Sequence, residues 1–206
     1  MRVSISHRFV YISTPKAGTH TICRLLKDHF PDGLRKNGLH NTRIPRCYQD
    51  YPRWTVVRNP FSRAVSLWWS TCRLHSEDRY GARKGCGAVD DFPQFMRWLV
   101  GLEPMGRQRQ PLFLNQSDWL KPVQPIQILH LERLEEDLQG MPWWKDGIAL
   151  PEENTTTQKI ERQSSEEGSE ILRPSWRELC QPKEIQQAVL EWAGEDFEMF
   201  GYEVEL

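Results

Sequence analysis

Two segments share one strand–turn–helix plan, and together they constrain the fold more than any other feature of the chain. In Val10-Tyr-Ile-Ser-Thr-Pro-Lys-Ala-Gly-Thr-His-Thr-Ile22, the β-rich run Phe9 to Ser13 breaks at Thr14-Pro15. From Thr19 to Phe30 the apolar residues Ile22, Leu25, Leu26 and Phe30 then recur at helical spacing. Gly18 stands in the turn, where a missing Cβ lets the backbone approach an anion closely. The opening of a helix adds N–H groups without intrahelical partners and the positive end of the helix dipole. In Val56-Val-Arg-Asn-Pro-Phe-Ser-Arg-Ala-Val-Ser66, a strand over Trp54 to Val57 reaches Arg58, and a helix is predicted from Phe61 to about Leu74. Ser66 falls about two turns into that helix. Two such strand ends in one parallel sheet predict a site for a ligand with two separate phosphate-type charges.

The rest of the chain continues the alternation of strands and helices. A helix is predicted over Phe92 to Leu99, a strand over Ile126 to Leu131, and a helix with an acidic start over Glu132 to Leu138. A terminal helix over Pro182 to Ala193 has its proline near the first turn and is followed by Asp196-Phe-Glu-Met-Phe-Gly-Tyr202. Residues Pro31 to Pro52 read as an irregular connection, Ser76 to Asp90 as a surface loop, and Pro151 to Arg173 as a mobile polar loop. No internal repeat is present. The pattern predicts an α/β fold with a central parallel sheet flanked by helices, as one domain over residues 1–206.

Composition narrows the partners. Apolar residues make up 38%, yet nine Trp and eight Phe supply a substantial core. The formal net charge of -1 provides no global field for nucleic acid or an anionic membrane, so an anion site has to be built locally. The N-terminal residues lack an apolar signal-type region, and no stretch approaches membrane-spanning length, which leads to the expectation of a soluble, cytoplasmic protein. The five cysteines are odd in number and contain no C-x-x-C, which fits reduced thiols better than disulfides or structural zinc.

The first loop is not a Walker A motif, because Lys16 precedes Gly18 where that motif places its lysine after the second glycine. The lysine enters from the strand side. Arg58 supplies a guanidinium suited to bidentate contact with phosphate, and Ser66 a hydroxyl donor. Taken alone, the first segment also reads as an ordinary strand–helix turn and the second as a solvated Arg-rich helix start. Arg63 is ambiguous and also reads as the partner of an acidic neighbour.

At these residues the chain resembles the sulfotransferases that use 3′-phosphoadenosine 5′-phosphosulfate (PAPS). Pro15-Lys-Ala-Gly-Thr19 is similar to their 5′-phosphosulfate loop, and Val57-Arg-Asn-Pro-Phe-Ser-Arg-Ala-Val-Ser66 to their 3′-phosphate motif. Gln116-Ser-Asp-Trp-Leu120, His130-Leu-Glu-Arg-Leu-Glu-Glu-Asp-Leu138 and the closing Asp196 to Tyr202 segment look closer to the carbohydrate (Golgi-type) branch and its bacterial-type relatives. The resemblance implies a P-loop-like three-layer α/β sandwich. It implies Lys16, Ala17, Gly18, Thr19, His20 and Thr21 around the 5′-phosphosulfate, Arg58 and Ser66 on the 3′-phosphate, and no metal. Two departures stand out: Ala17 replaces a residue that often carries a hydroxyl, and the Arg-Lys-Gly triplet of cytosolic members is missing near the C-terminus. Arg83-Lys84-Gly85 has those letters but lies too early in the chain.

Sulfuryl transfer to a hydroxyl needs a base near the acceptor oxygen. His40, in Gly38-Leu-His-Asn-Thr-Arg43, resembles the Lys/Leu-His-x-Thr element of carbohydrate-type and bacterial relatives, and is the expected base with Lys16 as its catalytic partner. The alternative is a surface-loop histidine. His20 is expected to assist cofactor binding and His130 to be a satisfied strand-end histidine. Glu132, Glu135, Glu136 and Asp137 read as the charged first turn of a helix. Trp143 and Trp144 read as packing, with stacking on a sugar or adenine left open. The expected function is sulfuryl transfer to an acceptor hydroxyl, on a carbohydrate by resemblance. The rivals are a nucleotide or nucleoside kinase with a degenerate P-loop and a non-catalytic nucleotide-binding scaffold. The oligomeric state is not legible.

Overall fold

The computed structural model describes residues 1–30, 34–36, 40–73, 91–102, 111–145, 147–151 and 175–205, with 34–36, 73 and 111 as backbone only. The predicted loops over 76–90 and, beyond Pro151, over 152–173 lie outside the described residues, as does the 83–85 triplet. The chain divides into two compact units, one built from residues 1–59 and 116–153 and the other from 60–115 and 154–206.

The first unit carries a five-stranded sheet. Its strands are β1 (Arg2–Ser4), β2 (Phe9–Ile12), β3 (Leu34–Lys36), β4 (Arg53–Val57) and β5 (Gln127–His130), in the order β3-β1-β2-β4-β5. β2, β4 and β5 run parallel, with Ile12 opposite Thr55 and Val57 opposite His130. β1 pairs antiparallel with both β2 and β3, so the sheet is mixed and the expectation of a parallel sheet is corrected at this edge. Antiparallel neighbours need only a short turn, whereas parallel ones need a crossover. Residues 5–8 supply that turn between β1 and β2, with Arg8 at φ 53° and the Ser4 hydroxyl accepting the His7 N–H. β3 likewise interrupts the connection predicted to be irregular.

Helix α1 (Thr19–His29) lies on one face of the sheet. Alternate strand residues Phe9, Tyr11, Trp54, Val56 and Leu129 form one apolar cluster with Ile22, Leu25 and Leu26 of α1. Helix α5 (Leu134–Gln139) adds Leu134 and Leu138 to it. The period of two on the strands meets the helical period at this layer. Trp143 belongs here too, its ring 5.2 Å from those of Phe9, Phe30 and Trp54, so it is a core residue and not a stacking platform. Val10, Ile12 and Val57, pointing the other way along their strands, are buried as well, as continuous apolar runs in parallel strands require.

The second unit is helical. α2 (Pro60–Trp68) passes directly into a π-type turn over Trp69–Arg73, so helical structure covers the predicted span from Phe61 and only its last turn departs from the α type. α3 (Phe92–Gly101) is capped by Asp91, whose carboxylate accepts the Gln94 N–H. α6 (Trp176–Leu179) opens with a capping box between Ser175 and Glu178. α7 (Lys183–Phe200) continues past its predicted end through a kink at Ala193 and closes on Gly201 at φ 68°. Phe61, Val65, Trp68, Phe92, Phe95, Ile185, Val189, Trp192 and Phe197 build the core of this unit. Arg63 is enclosed within it. Its Nη2 donates to the Leu114 carbonyl at 2.8 Å, and its guanidinium lies 5.0 Å from the Trp192 ring centre. Burial pushes its pKa down to about 10, opposed by the charge of Asp196. The acidic-neighbour reading of Arg63 therefore applies.

Among the described residues, no helix is long and apolar enough to cross a membrane. In the first unit, α4 (Gln116–Leu120) completes the elements that shape the site.

Candidate functional site

The loop between β2 and α1 is folded around the Thr14 carbonyl, which accepts the Ala17 N–H at 3.4 Å and the Thr19 hydroxyl at 3.0 Å. This tight path holds Lys16 at φ 66° and Gly18 at φ 71°. A left-handed conformation is costly for a residue with a Cβ, and such strain concentrates at functional loops. Gly18 is required twice over, since a Cβ built there would lie 2.7 Å from Leu131 Cδ1. As the N-cap of α1 it also brings no side chain to the first-turn N–H groups, and no acidic residue stands in that turn. The sequence thus keeps the positive end of α1 clear of carboxylates of its own.

The candidate residues of this loop play different parts. Ala17 is fully buried, its methyl in the core beneath α1, so the departure from a hydroxyl at this position is filled by packing. The Thr19 hydroxyl turns inward to Thr14. His20 is exposed, and Lys16 and Thr21 are half-buried.

His40 meets this loop at Ser13, just beyond the end of β2. Its N–H donates to the Ser13 hydroxyl at 3.0 Å, and its Nδ1 lies 3.3 Å from the Ser13 carbonyl. A carbonyl oxygen only accepts, so this contact places the ring proton on Nδ1 and leaves the lone pair on Nε2. Burial pushes the His40 pKa below its ordinary 6.5, and the nearby charges of His20 and Lys16 act in the same direction. Its contact with Ser13 is therefore a tautomer-setting one, and the imidazole stays neutral at neutral pH. Ser13, which no pattern in the sequence singles out, is the residue that seats it.

Arg58 follows the last residue of β4. Its Nη1 reaches the Lys16 carbonyl at 3.4 Å, joining the two strand ends. Its backbone is held by Gln116, whose Oε1 accepts the Arg58 N–H at 2.9 Å while its Nε2 donates to the Arg58 carbonyl at 2.8 Å. Glu132 Oε1 accepts the next N–H, that of Asn59, at 2.8 Å. Ser66 sits in the helical unit, buried on α2. The structure thus brings Lys16, Gly18, His20, His40 and Arg58 together in the sheet unit, where β2 and β4 end side by side.

The acidic set is not uniform. Glu132 has the backbone role just described, and Asp137 accepts the His130 N–H at 2.6 Å and pairs with Arg133 at 3.0 Å. Both stand in the acidic first turns expected of them and in addition accept backbone N–H groups. His130, held by Asp137, is a satisfied strand-end residue as expected. No group of three or more His, Cys, Asp or Glu arranged to hold a metal ion occurs among the described residues.

Chemically, this edge offers cationic side chains and helix N–H groups to an anion, beside a neutral imidazole with an accepting nitrogen. Comparison with curated proteins and with solved structures returns no significant match. A family model described as "Sulfotransferase family" matches residues 1–203. That match runs through both strand–turn–helix segments and nearly the whole length of the chain, which therefore belongs to the sulfotransferase family.

Proposed function

We propose that the chain moves a sulfuryl group from PAPS to a hydroxyl of an acceptor, with a carbohydrate as the acceptor class. The observation that carries this reading is the Arg58 guanidinium at the Lys16 carbonyl, 3.4 Å away, at the shared edge of two parallel strands. Ligands of open α/β sheets bind outside the carboxyl ends of the strands. Two cationic strand ends there suit one nucleotide that carries both a 5′-phosphosulfate and a 3′-phosphate, as in a P-loop-like site.

In this reading Arg58 holds the 3′-phosphate, while Lys16 and the N–H groups of Gly18 to Thr21 hold the 5′-phosphosulfate. His40 Nε2 takes the proton of the acceptor hydroxyl as its oxygen bonds to sulfur, and the bond from sulfur to the 5′-phosphate oxygen breaks. Lys16 and the α1 N–H groups stabilise charge on the transferred group and on the departing phosphate, as in other transfers dominated by positioning and electrostatics. Protein cations supply the charge, so the reading calls for no metal. The carbohydrate branch is favoured by the likeness of the 116–120, 130–138 and 196–202 segments, and free thiols fit a reducing compartment.

Calorimetry tests the donor. Binding of 3′,5′-ADP without divalent metal is expected, weakened about 10- to 100-fold in Arg58→Ala, the value of hydrogen bonds to a charged group. A preference for Mg-ATP sinks the reading. Transfer from labelled PAPS to a panel of sugars, lipids, peptides and alcohols then identifies the acceptor.

A further inference from the structure

We infer that Gln116, assisted by Glu132, is a positioning residue that aims Arg58 at the 3′-phosphate; this rests on the PAPS reading above. The parallel ladder of β4 and β5 ends at Val57 and His130, so the sheet pairing stops just before Arg58. A backbone N–H and C=O at this point still need partners. The Gln116 carboxamide supplies both at 2.9 and 2.8 Å, and thereby acts as one more rung of the sheet.

Few side chains can do this. A carboxamide carries an acceptor and donors on one planar group, a carboxylate lacks the donor, and an aliphatic chain lacks both. Asn has the group but is one methylene short. Gln116 is fully buried, so its reach is fixed by packing as well as by its own hydrogen bonds. Glu132 extends the grip by one residue through the Asn59 N–H at 2.8 Å. Two successive backbone positions are thus fixed by side chains from distant segments. The guanidinium that leaves this clamp is the one that reaches the Lys16 carbonyl. A cation meant to meet a phosphate bidentately gains from such restraint, because the donor fork is oriented before the ligand arrives.

The readout is the ratio of affinities for 3′,5′-ADP and 5′-AMP, which isolates the 3′-phosphate. Wild type is expected to prefer 3′,5′-ADP. If it does not, the donor reading itself fails and this inference falls with it. If wild type discriminates, Gln116→Leu is expected to lower the ratio about tenfold while leaving 5′-AMP affinity in place, and Gln116→Asn to fall between the two. Adding Gln116→Leu to Arg58→Ala should then cost nothing further in the ratio. A ratio that survives Gln116→Leu, or equal weakening of both nucleotides, overturns the inference in favour of a purely structural role. The exposed Glu132 provides a second arm should Gln116→Leu fail to fold. Glu132→Gln and Glu132→Ala both remove the charge, but only Gln keeps an acceptor for Asn59. The ratio is expected to be about fivefold lower in Glu132→Ala than in Glu132→Gln, and equal ratios count against the clamp.

Discussion

Replacing Gly18 by alanine tests the loop geometry on stability alone, whatever ligand the loop serves. At φ 71° an alanine costs about 1–2 kcal/mol relative to a relaxed backbone. Its Cβ would also sit 2.7 Å from Leu131 Cδ1, well inside van der Waals contact. Overpacking of this kind costs about 1–3 kcal/mol. The lower half of that range applies, because the obstructing atom is the far end of a half-buried side chain that can turn aside. The narrower unfolded ensemble of alanine offsets about 0.4–1 kcal/mol. The net expectation is a loss of about 2 kcal/mol, read by urea titration with amide exchange on α1 as the local probe, since the chain has two units and need not unfold in one step. Leu131→Ala removes the obstructing methyl, so the double variant should fall short of additivity by about 1 kcal/mol. A Gly18→Ala protein within about 0.5 kcal/mol of wild type, or strict additivity with Leu131→Ala, would refute the close approach of these two segments.

His40 sets a pH dependence. Its folded pKa lies below 6.5, so transfer should be level through neutral pH and fall only as the pH drops through that lowered value. His40→Gln should flatten this limb in a single-turnover profile and slow transfer by about 10²- to 10⁴-fold. The unfolded chain takes up this proton first, so the His40 contribution to stability is complete above pH 6.5 and declines below it, levelling at the folded pKa. In the helical unit, Arg63→Ala removes a buried guanidinium that faces Asp196. A loss of about 3–5 kcal/mol is expected in chemical denaturation, with partial recovery on adding Asp196→Asn. No recovery would mean that packing on Trp192 and the Leu114 bond, not charge, dominate the Arg63 contribution.

The legible parts of the fold were those with a local cause. β2, β4 and α1 follow from a β-rich run or from apolar residues at helical spacing, and their bounds fall within a residue or two of expectation. The antiparallel edge was hidden because the turn at residues 5–8 contains no Gly, Pro or Asn, and Arg8 takes the positive φ itself. The end of α7 was misplaced because the chain kinks at Ala193, beside Gly194, without leaving the helix. The same division holds at the site. Lys16, Gly18 and Arg58 belong to local strand–turn–helix patterns. Gln116 meets Arg58 across a sequence separation of 58 residues, and nothing in its neighbours announces that contact. Ser13 was visible only as the end of a strand, although its hydroxyl and carbonyl seat His40.

The near-neutral charge of the chain acquires a meaning from this arrangement. A protein with a formal net charge of -1 attracts anions only where its carboxylates are kept away or engaged. The first turn of α1 has no acidic residue. Of the acidic residues that follow β5, Glu132 accepts the Asn59 N–H, and Asp137 accepts the His130 N–H and faces Arg133. Hydrogen bonding to backbone N–H groups spreads the charge of a carboxylate over fixed dipoles and lowers its repulsion of an incoming anion. Glu132 thus helps to hold up the framework that carries Arg58. At this edge Lys16, Arg58 and the α1 N–H groups supply positive potential that the overall balance of charge does not reveal.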